Sequence, residues 1–380
     1  MVYKLNAFHQ PVWRTPSALQ IGLDARRIIL EDVSGPTEKF IDALYFGIAQ
    51  NQVEAIAKQA KLPPEDAIAL LRKLQPLLES DPPRNNGKPN PGEPLNVEAS
   101  FPDRAHASLQ QSTNGLAVLH ERGRRAIFIE KLDSTGILLM NAFASAGVGT
   151  IVTQDSAKVS GADVGPLAYP TSLVGHQRIA AATMLLQATW PSTKLVNATR
   201  TRESKLNNID LAILTASAIS DTHSMSLWNS RQVAQLEIRF EPTGARISRV
   251  VTPGQDPCLI CRELCEHMGD TELAAVDAQL AQSDMSFAHT ANRIIGTGLA
   301  LENGLFWLDK IGGFGNQATA SYRLTNAGVT SGAATTSRGS RWSATLTACW
   351  AWSRSPNWTA RSTSRRGTAS RPREIGRAHV

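Results

Sequence analysis

The chain has 380 residues, 42% of them hydrophobic, and a formal net charge of +6, which is enough length and apolar material for two folded units. The charge is unevenly placed: residues 331–380 hold nine arginines, no lysine and one acid (Glu374), a formal +8, leaving the preceding 330 residues at about −2 and excluding a basic nucleic-acid footprint in the body of the chain. No apolar run approaches bilayer-spanning length, Met1-Val-Tyr-Lys4 leads into no signal-peptide core, and four cysteines are too few for a disulfide scaffold, so a cytoplasmic chain without a membrane segment is predicted.

In chain order, Leu19-Gln-Ile21 and Arg27-Ile-Ile-Leu30 read as two short strands joined across Gly22-Leu-Asp24. Ser34-Gly-Pro-Thr37 opens a helix with Phe40, Ile41, Leu44 and Tyr45 on one face, a second helix starts near Gln50, and a third follows Pro63-Pro64. Residues 1–80 are therefore predicted to be a small α+β unit resembling a winged helix. Its third helix sets Lys61, Arg72 and Lys73 against Glu65, Asp66 and Glu79, without the positive excess that phosphate contact needs. Capture of a peptide or protein fits better, with an exposed wing strand able to accept an extended peptide by strand addition.

Five prolines between Asp81 and Pro94 block helix and sheet, and residues 81–110 read as a linker. Beyond it, Ala126-Ile-Phe-Ile129 reads as a strand, Ile137 to Ala144 as a helix, Gly147-Val-Gly149 as a turn and Thr150-Ile-Val-Thr153 as the next strand, followed at once by Asp155. Strand, helix, glycine turn, strand and acid form the opening βαβ of a mononucleotide-binding fold, with Asp155 nineteen residues after Gly136, where a carboxylate accepts from a ribose hydroxyl. The connecting turn departs from the phosphate-loop pattern. With Gly136 as third glycine of the fingerprint, Lys131 and Asp133 occupy the first two positions, each placing a Cβ in the nucleotide path, and Asp133 adds negative charge while Lys131 offers partial compensation.

Asp210 precedes the apolar strand Leu211-Ala-Ile-Leu214 and reads either as a strand-start residue facing water or as a site acid; Arg178 heads a helix, and His223 reads as a surface residue on a loop. Cys258 and Cys261 have the spacing of a zinc knuckle, which needs two more ligands. Cys265 and His267 follow too closely for the usual second knuckle, while Arg262 to Glu266 reads as helical. The tail, 311–380, is irregular and rich in Arg, Ser and Thr. Out-of-frame translation, a genuine basic tail and a nucleic-acid arm are the three readings of its end, and Glu374-Ile-Gly-Arg-Ala-His-Val380 favours the first by its likeness to translated sequencing adapter.

From about 111–310 the chain resembles the ThiF/E1 superfamily, on Gly136, Ala144-Ser-Ala-Gly-Val-Gly149, Asp155, Gly175-His-Gln-Arg178, Asp210 to Leu214 and, most specifically, Val251-Thr-Pro-Gly-Gln-Asp-Pro-Cys-Leu-Ile-Cys261. It is similar in particular to actinobacterial ThiF-type proteins with an N-terminal peptide-recognition domain, related to the partner proteins of azole-forming peptide cyclodehydratases. The resemblance implies a Rossmann-like α/β domain and an adenylyltransferase that binds ATP and Mg2+. Lys131, Gly136 and Asp155 then hold the nucleotide, Arg178 and Asp210 do the catalytic work, and Cys258 and Cys261 bind Zn2+. It implies as partners a precursor peptide or a ubiquitin-like or sulfur-carrier protein, a peptide-modifying enzyme and a second copy of the chain. The altered loop makes the ATP site degenerate, and the alternative is a non-catalytic leader-peptide-binding scaffold; a nicotinamide oxidoreductase would need the same missing glycines.

Overall fold

The computed structural model describes residues 2–23, 26–79, 100–198, 208–217, 221–269, 272–280, 286–314, 317–325 and 328–332. The proline-rich stretch 80–99 and the arginine-rich stretch 333–380, with the readings made on them, lie outside the described residues.

The N-terminal module comprises β1 (Val2–Tyr3), β2 (Pro11–Thr15), β3 (Ala18–Ile21), β4 (Ile28–Leu30), α1 (Gly35–Phe46), β5 (Ile48–Ala49), α2 (Val53–Ala60) and α3 (Pro64–Leu74). Strands β2, β3 and β4 form an antiparallel sheet in that order, and β1 pairs with β5. The start of α1 follows from its sequence: Ser34 is the N-cap, its hydroxyl accepting from Thr37 N, and Pro36 sits in the first turn, where its missing N–H has no helical partner to lose. Leu5, Ile21, Phe40, Leu44, Ala57 and Leu74 form the module's core.

Two helices, α4 (Phe101–Gln111) and α5 (Gly115–Arg122), lead into the larger unit. Residues 101–110 are thus helix where the sequence predicted linker, because Pro102 stands in the first turn, where proline starts a helix. A Cβ at Gly115 would lie 2.0 Å from Arg104 O, so the two helices cross closely only because that residue is glycine. The module joins this unit through Asn6, whose Nδ2 donates to Ser108 O at 3.0 Å, and through the edge-on contact of Phe8 with Phe101.

The remaining elements are β6 (Ala126–Ile129), α6 (Ser134–Ser145), β7 (Thr150–Thr153), α7 (Arg178–Thr189), β8 (Lys194–Asn197), β9 (Leu211–Ser217), α8 (Thr222–Ser230), β10 (Gln235–Glu241), β11 (Gly244–Ile247), α9 (Leu259–Gly269), α10 (Leu273–Leu280), α11 (Thr290–Ile311), β12 (Ser321–Thr325) and β13 (Gly328–Gly332). They form one eight-stranded sheet in the order β13-β12-β11-β10-β9-β6-β7-β8, parallel from β10 to β8 and antiparallel from β11 outward. Alternation along each strand fills both faces: Ile127, Ile129, Ile151, Leu211 and Ile213 pack with α6, while Phe128, Val152, Ala212 and Leu214 pack around Trp228 of α8. Strands β12 and β13 lie in the stretch expected to be irregular, so the fold extends to 332; Leu324, buried opposite Ala245, anchors them. The chain runs one way from β6 through β7 to β8 and the other way from β9 to β10. That reversal makes the carboxyl ends of β6 and β9 the topological switch point, the place where open α/β sheets take ligands.

Candidate functional site: the turn after the first central strand

The turn from β6 to α6 holds the candidate site. A Cβ at Gly136 would lie 1.8 Å from Lys131 O, so the turn can press against the helix only with glycine there. This is the packing role of the third fingerprint glycine. Asp133 is the N-cap of α6, and its Oδ1 accepts from Thr135 N at 2.9 Å and from Gly136 N at 3.0 Å. Free N–H groups at a helix start are what a phosphate would bind. Here the chain's own carboxylate takes that place. Burial pushes the Asp133 pKa up, against the lowering effect of the Gly136 and Thr135 hydrogen bonds and of the Arg178 charge.

The neighbouring donors are engaged as well. Asp155, just beyond β7, accepts from Leu132 N through Oδ2 and from Ala157 N through Oδ1, each at 2.7 Å. Arg178, first residue of α7, donates from Nη1 to Asp155 Oδ2 at 3.2 Å and from Nη2 to both oxygens of the buried Asp163 at 2.9 Å. Burial opposes the Arg178 charge, but hydrogen bonds and charge from Asp163 and then Asp155 raise its pKa overall. Tyr169, fully buried, donates to Leu132 O at 2.8 Å and closes the turn from beneath. Glu130, the residue before Lys131, accepts from Thr215 N at 3.1 Å and has its pKa raised by burial.

Of the residues expected to form the site, Lys131, Gly136, Asp155 and Arg178 are brought together, with the Lys131 side chain exposed on the turn. Asp210 is not. Parallel pairing sets Leu211 opposite Ile127, which leaves Asp210 level with the start of β6, four residues of strand or about 13 Å from the turn. Its carboxylate accepts from Ala126 N at 2.8 Å and from Arg125 Nη1 at 3.2 Å, so it starts the strand and pairs a neighbour at the opposite edge of the sheet. His223 stands in the first turn of α8 rather than on a loop, behind the N-cap Asp221.

Sequence reasoning missed two residues of the site and the role of a third. The capping role of Asp133 had a signal, since Asp ahead of a helical run is a strong N-cap residue. Asp163 and Tyr169 had none, because they reach the turn from a stretch without regular periodicity.

The residues present were weighed against the groups the resemblance implied. A triphosphate over this turn meets the Asp133 carboxylate on the amides it would need, Leu132 N already bonded to Asp155, and Arg178 already paired with two acids. For Mg2+, Asp210, the acid to which the resemblance gave a catalytic role, stands at the far edge. For Zn2+, Cys258 and Cys261 are together, with Sγ atoms 3.4 Å apart. Among the described residues, however, no group of three or more His, Cys, Asp or Glu is placed to hold a metal ion. Hydrogen bonding with Cys261 draws the Cys258 thiol down to about 6 against the effect of burial, with a further contribution from Asn229.

No protein-family model matches the chain, and no curated protein matches its sequence. Solved structures do match its architecture. Escherichia coli MccB with AMPCPP and MccA is similar over 87% of this chain and 96% of its own, with a TM-score of 0.63 at 14% identity. The microcin C7 biosynthetic enzyme MccB with N-formylated MccA aligns over the same shares, with a TM-score of 0.61 at 12% identity. PaaA aligns over 86% of this chain and 97% of its own, with a TM-score of 0.61 at 13% identity. No helix of the described residues is long and apolar enough to cross a membrane. With this sheet order, its reversal between β6 and β9 and these likenesses, the chain has the α/β Rossmann-like fold of the ThiF/E1 type.

Proposed function

We propose that this protein binds a precursor peptide through its N-terminal module and presents it to a separate peptide-modifying enzyme, with a nucleotide seat that its own carboxylates have closed. The observation that carries this reading is the Asp133 carboxylate on the N–H groups of Thr135 and Gly136. An adenylyltransferase must hold a triphosphate so that a substrate carboxylate attacks the α-phosphate in line, and it gains rate from donors aimed at the phosphoryl oxygens. In this chain those donors are engaged internally and a negative charge stands among them.

Support for peptide capture comes from the N-terminal module. Between β1, α2 and α3 lies a groove of about 730 Å³ lined by Val2, Tyr3, Val53, Ile68 and Leu71, with Arg72 and Glu79 at its polar side. Ile68 is exposed there, and the groove runs beside β1, which among the described strands pairs with β5 alone. An apolar groove beside strand edges is the setting in which an extended peptide gains backbone bonds and side-chain pockets together. The MccB structures sharing this fold include complexes with MccA, which supports carrying the peptide partner over to this chain.

The test has two arms on the full chain. Peptides selected by display on the intact protein should bind saturably and lose binding in Ile68→Glu, while ATP–pyrophosphate exchange should stay at the no-protein background with or without peptide. Exchange above background would restore the adenylyltransferase reading; absence of peptide binding would end the capture reading.

A further inference from the structure

We propose that Cys258 and Cys261 form a reversible dithiol–disulfide site that exchanges with low-molecular-weight disulfides such as oxidised glutathione, in place of the half zinc knuckle that their spacing suggests. Cys258 immediately precedes α9 and Cys261 lies in its first turn, so the spacing of three puts both side chains on one side of the helix start. Their Sγ atoms are already in contact at 3.4 Å. A tetrahedral zinc ion with Zn–S bonds of about 2.3 Å would hold two sulfurs farther apart, at about 3.8 Å, and would need two further ligands. His267, the next histidine along the chain, is committed to Asp277 at 2.7 Å. Both thiols are only half-buried, within reach of a small disulfide.

The neighbourhood holds one sulfur in position. Asn229 Nδ2 donates to Cys258 Sγ at 3.4 Å, and Gln235 Nε2 donates to Asn229 Oδ1 at 2.6 Å, tying the pair to the start of β10. That start lies at the amino edge of the parallel strands, opposite the self-capped turn. The exchange site and the turn are therefore separate.

The chemistry balances with the co-reactant named. One cysteine thiolate attacks a sulfur of the small disulfide, forming a mixed disulfide and expelling one thiolate. The second cysteine thiolate attacks the protein sulfur of that mixed disulfide, closing Cys258–Cys261 and expelling the other. The two cysteines are oxidised, the small disulfide is reduced to two thiols, and the two protons lost from the protein end on them. Closure brings the sulfurs from contact to a bond of about 2.05 Å, a side-chain movement within reach of normal disulfide geometry.

The test is to strip metal from the full chain with EDTA, equilibrate it in glutathione buffers of graded redox ratio, quench with acid, alkylate and map the peptides by mass spectrometry. The expected result is one internal crosslink between residues 258 and 261, a loss of two hydrogens that grows with oxidising ratio and reverses on reduction. Cys265→Ser and Cys349→Ser leave it intact, whereas Cys258→Ser and Cys261→Ser abolish it. Full alkylation of both thiols at every ratio would overturn the proposal, as would a crosslink from either one to Cys265 or Cys349. So would a stoichiometric zinc ion in the protein as purified that shields both thiols and is lost in Cys258→Ser. The wild-type map alone separates these outcomes, whatever the variants do to folding.

Discussion

The backbone N–H of Gly136 donates to the carboxylate of Asp133 at 3.0 Å, across the turn that would carry a nucleotide's phosphates. One residue thus both caps a helix and fills an anion seat. Its charge is poorly matched to burial, since the Asp133 pKa is raised despite two N–H donors.

The sign of that shift gives a pH prediction. A carboxyl whose folded pKa lies above its unfolded value favours the native state most when protonated, and that contribution is lost as pH rises through the folded pKa. Asp133→Asn keeps a capping oxygen and removes the charge. Urea midpoints of the variant should therefore exceed wild type near neutral pH and converge with it below the unfolded value of about 3.9. Asp133→Ala removes the cap and should cost about 1 kcal/mol.

Gly136→Ala drives a methyl to 1.8 Å from Lys131 O. Backbone must move, so a loss of about 3 kcal/mol is expected. Thermal unfolding measures it; an unchanged midpoint would mean the turn is looser than described.

Arg178 separates a structural from a catalytic role. Its guanidinium is the partner of Asp163, and the two side chains are 15% and 4% exposed. Arg178→Ala leaves two carboxylates short of their charge partner and should destabilise the fold by about 3 kcal/mol. A site arginine devoted to substrate would instead leave the denaturation midpoint nearly unmoved.

At the far end of the helical layer, Arg122 grips Asp309 with two bonds of 2.7 Å, both residues buried. Asp309→Ala strands a buried guanidinium and should cost about 3–5 kcal/mol, far more than replacing both residues with apolar ones. A double-mutant cycle reads the coupling directly.

Much of this architecture was legible in the residues. The apolar runs at 126–129 and 150–153, the intervening helical face and the cap at Ser34 gave the βαβ unit and the start of α1 correctly. Strand β10 was not legible, because it buries Gln235, Glu237 and Arg239, and the charges of the last two are balanced by Arg262 and Glu263 of α9 in a way that only the folded chain reveals. Within the site, Asp133 was read as an obstacle, whereas its cap bonds make it the occupant. Asp210 was given a site role by the resemblance alone, against the strand-start reading of its position, and only the pairing of β6 with β9 shows which edge it stands on. Asp163 lies in a stretch to which the sequence assigned no role, and it holds Arg178.

The central claim is tested most directly at the Gly136 amide. Titrating Mg2+ and a non-hydrolysable ATP analogue into 15N-labelled protein should leave the Gly136 and Thr135 cross-peaks where they are, with their N–H groups still bonded to Asp133. Saturable movement of those two peaks in the wild-type chain would show that a nucleotide displaces the carboxylate, and would contradict the account.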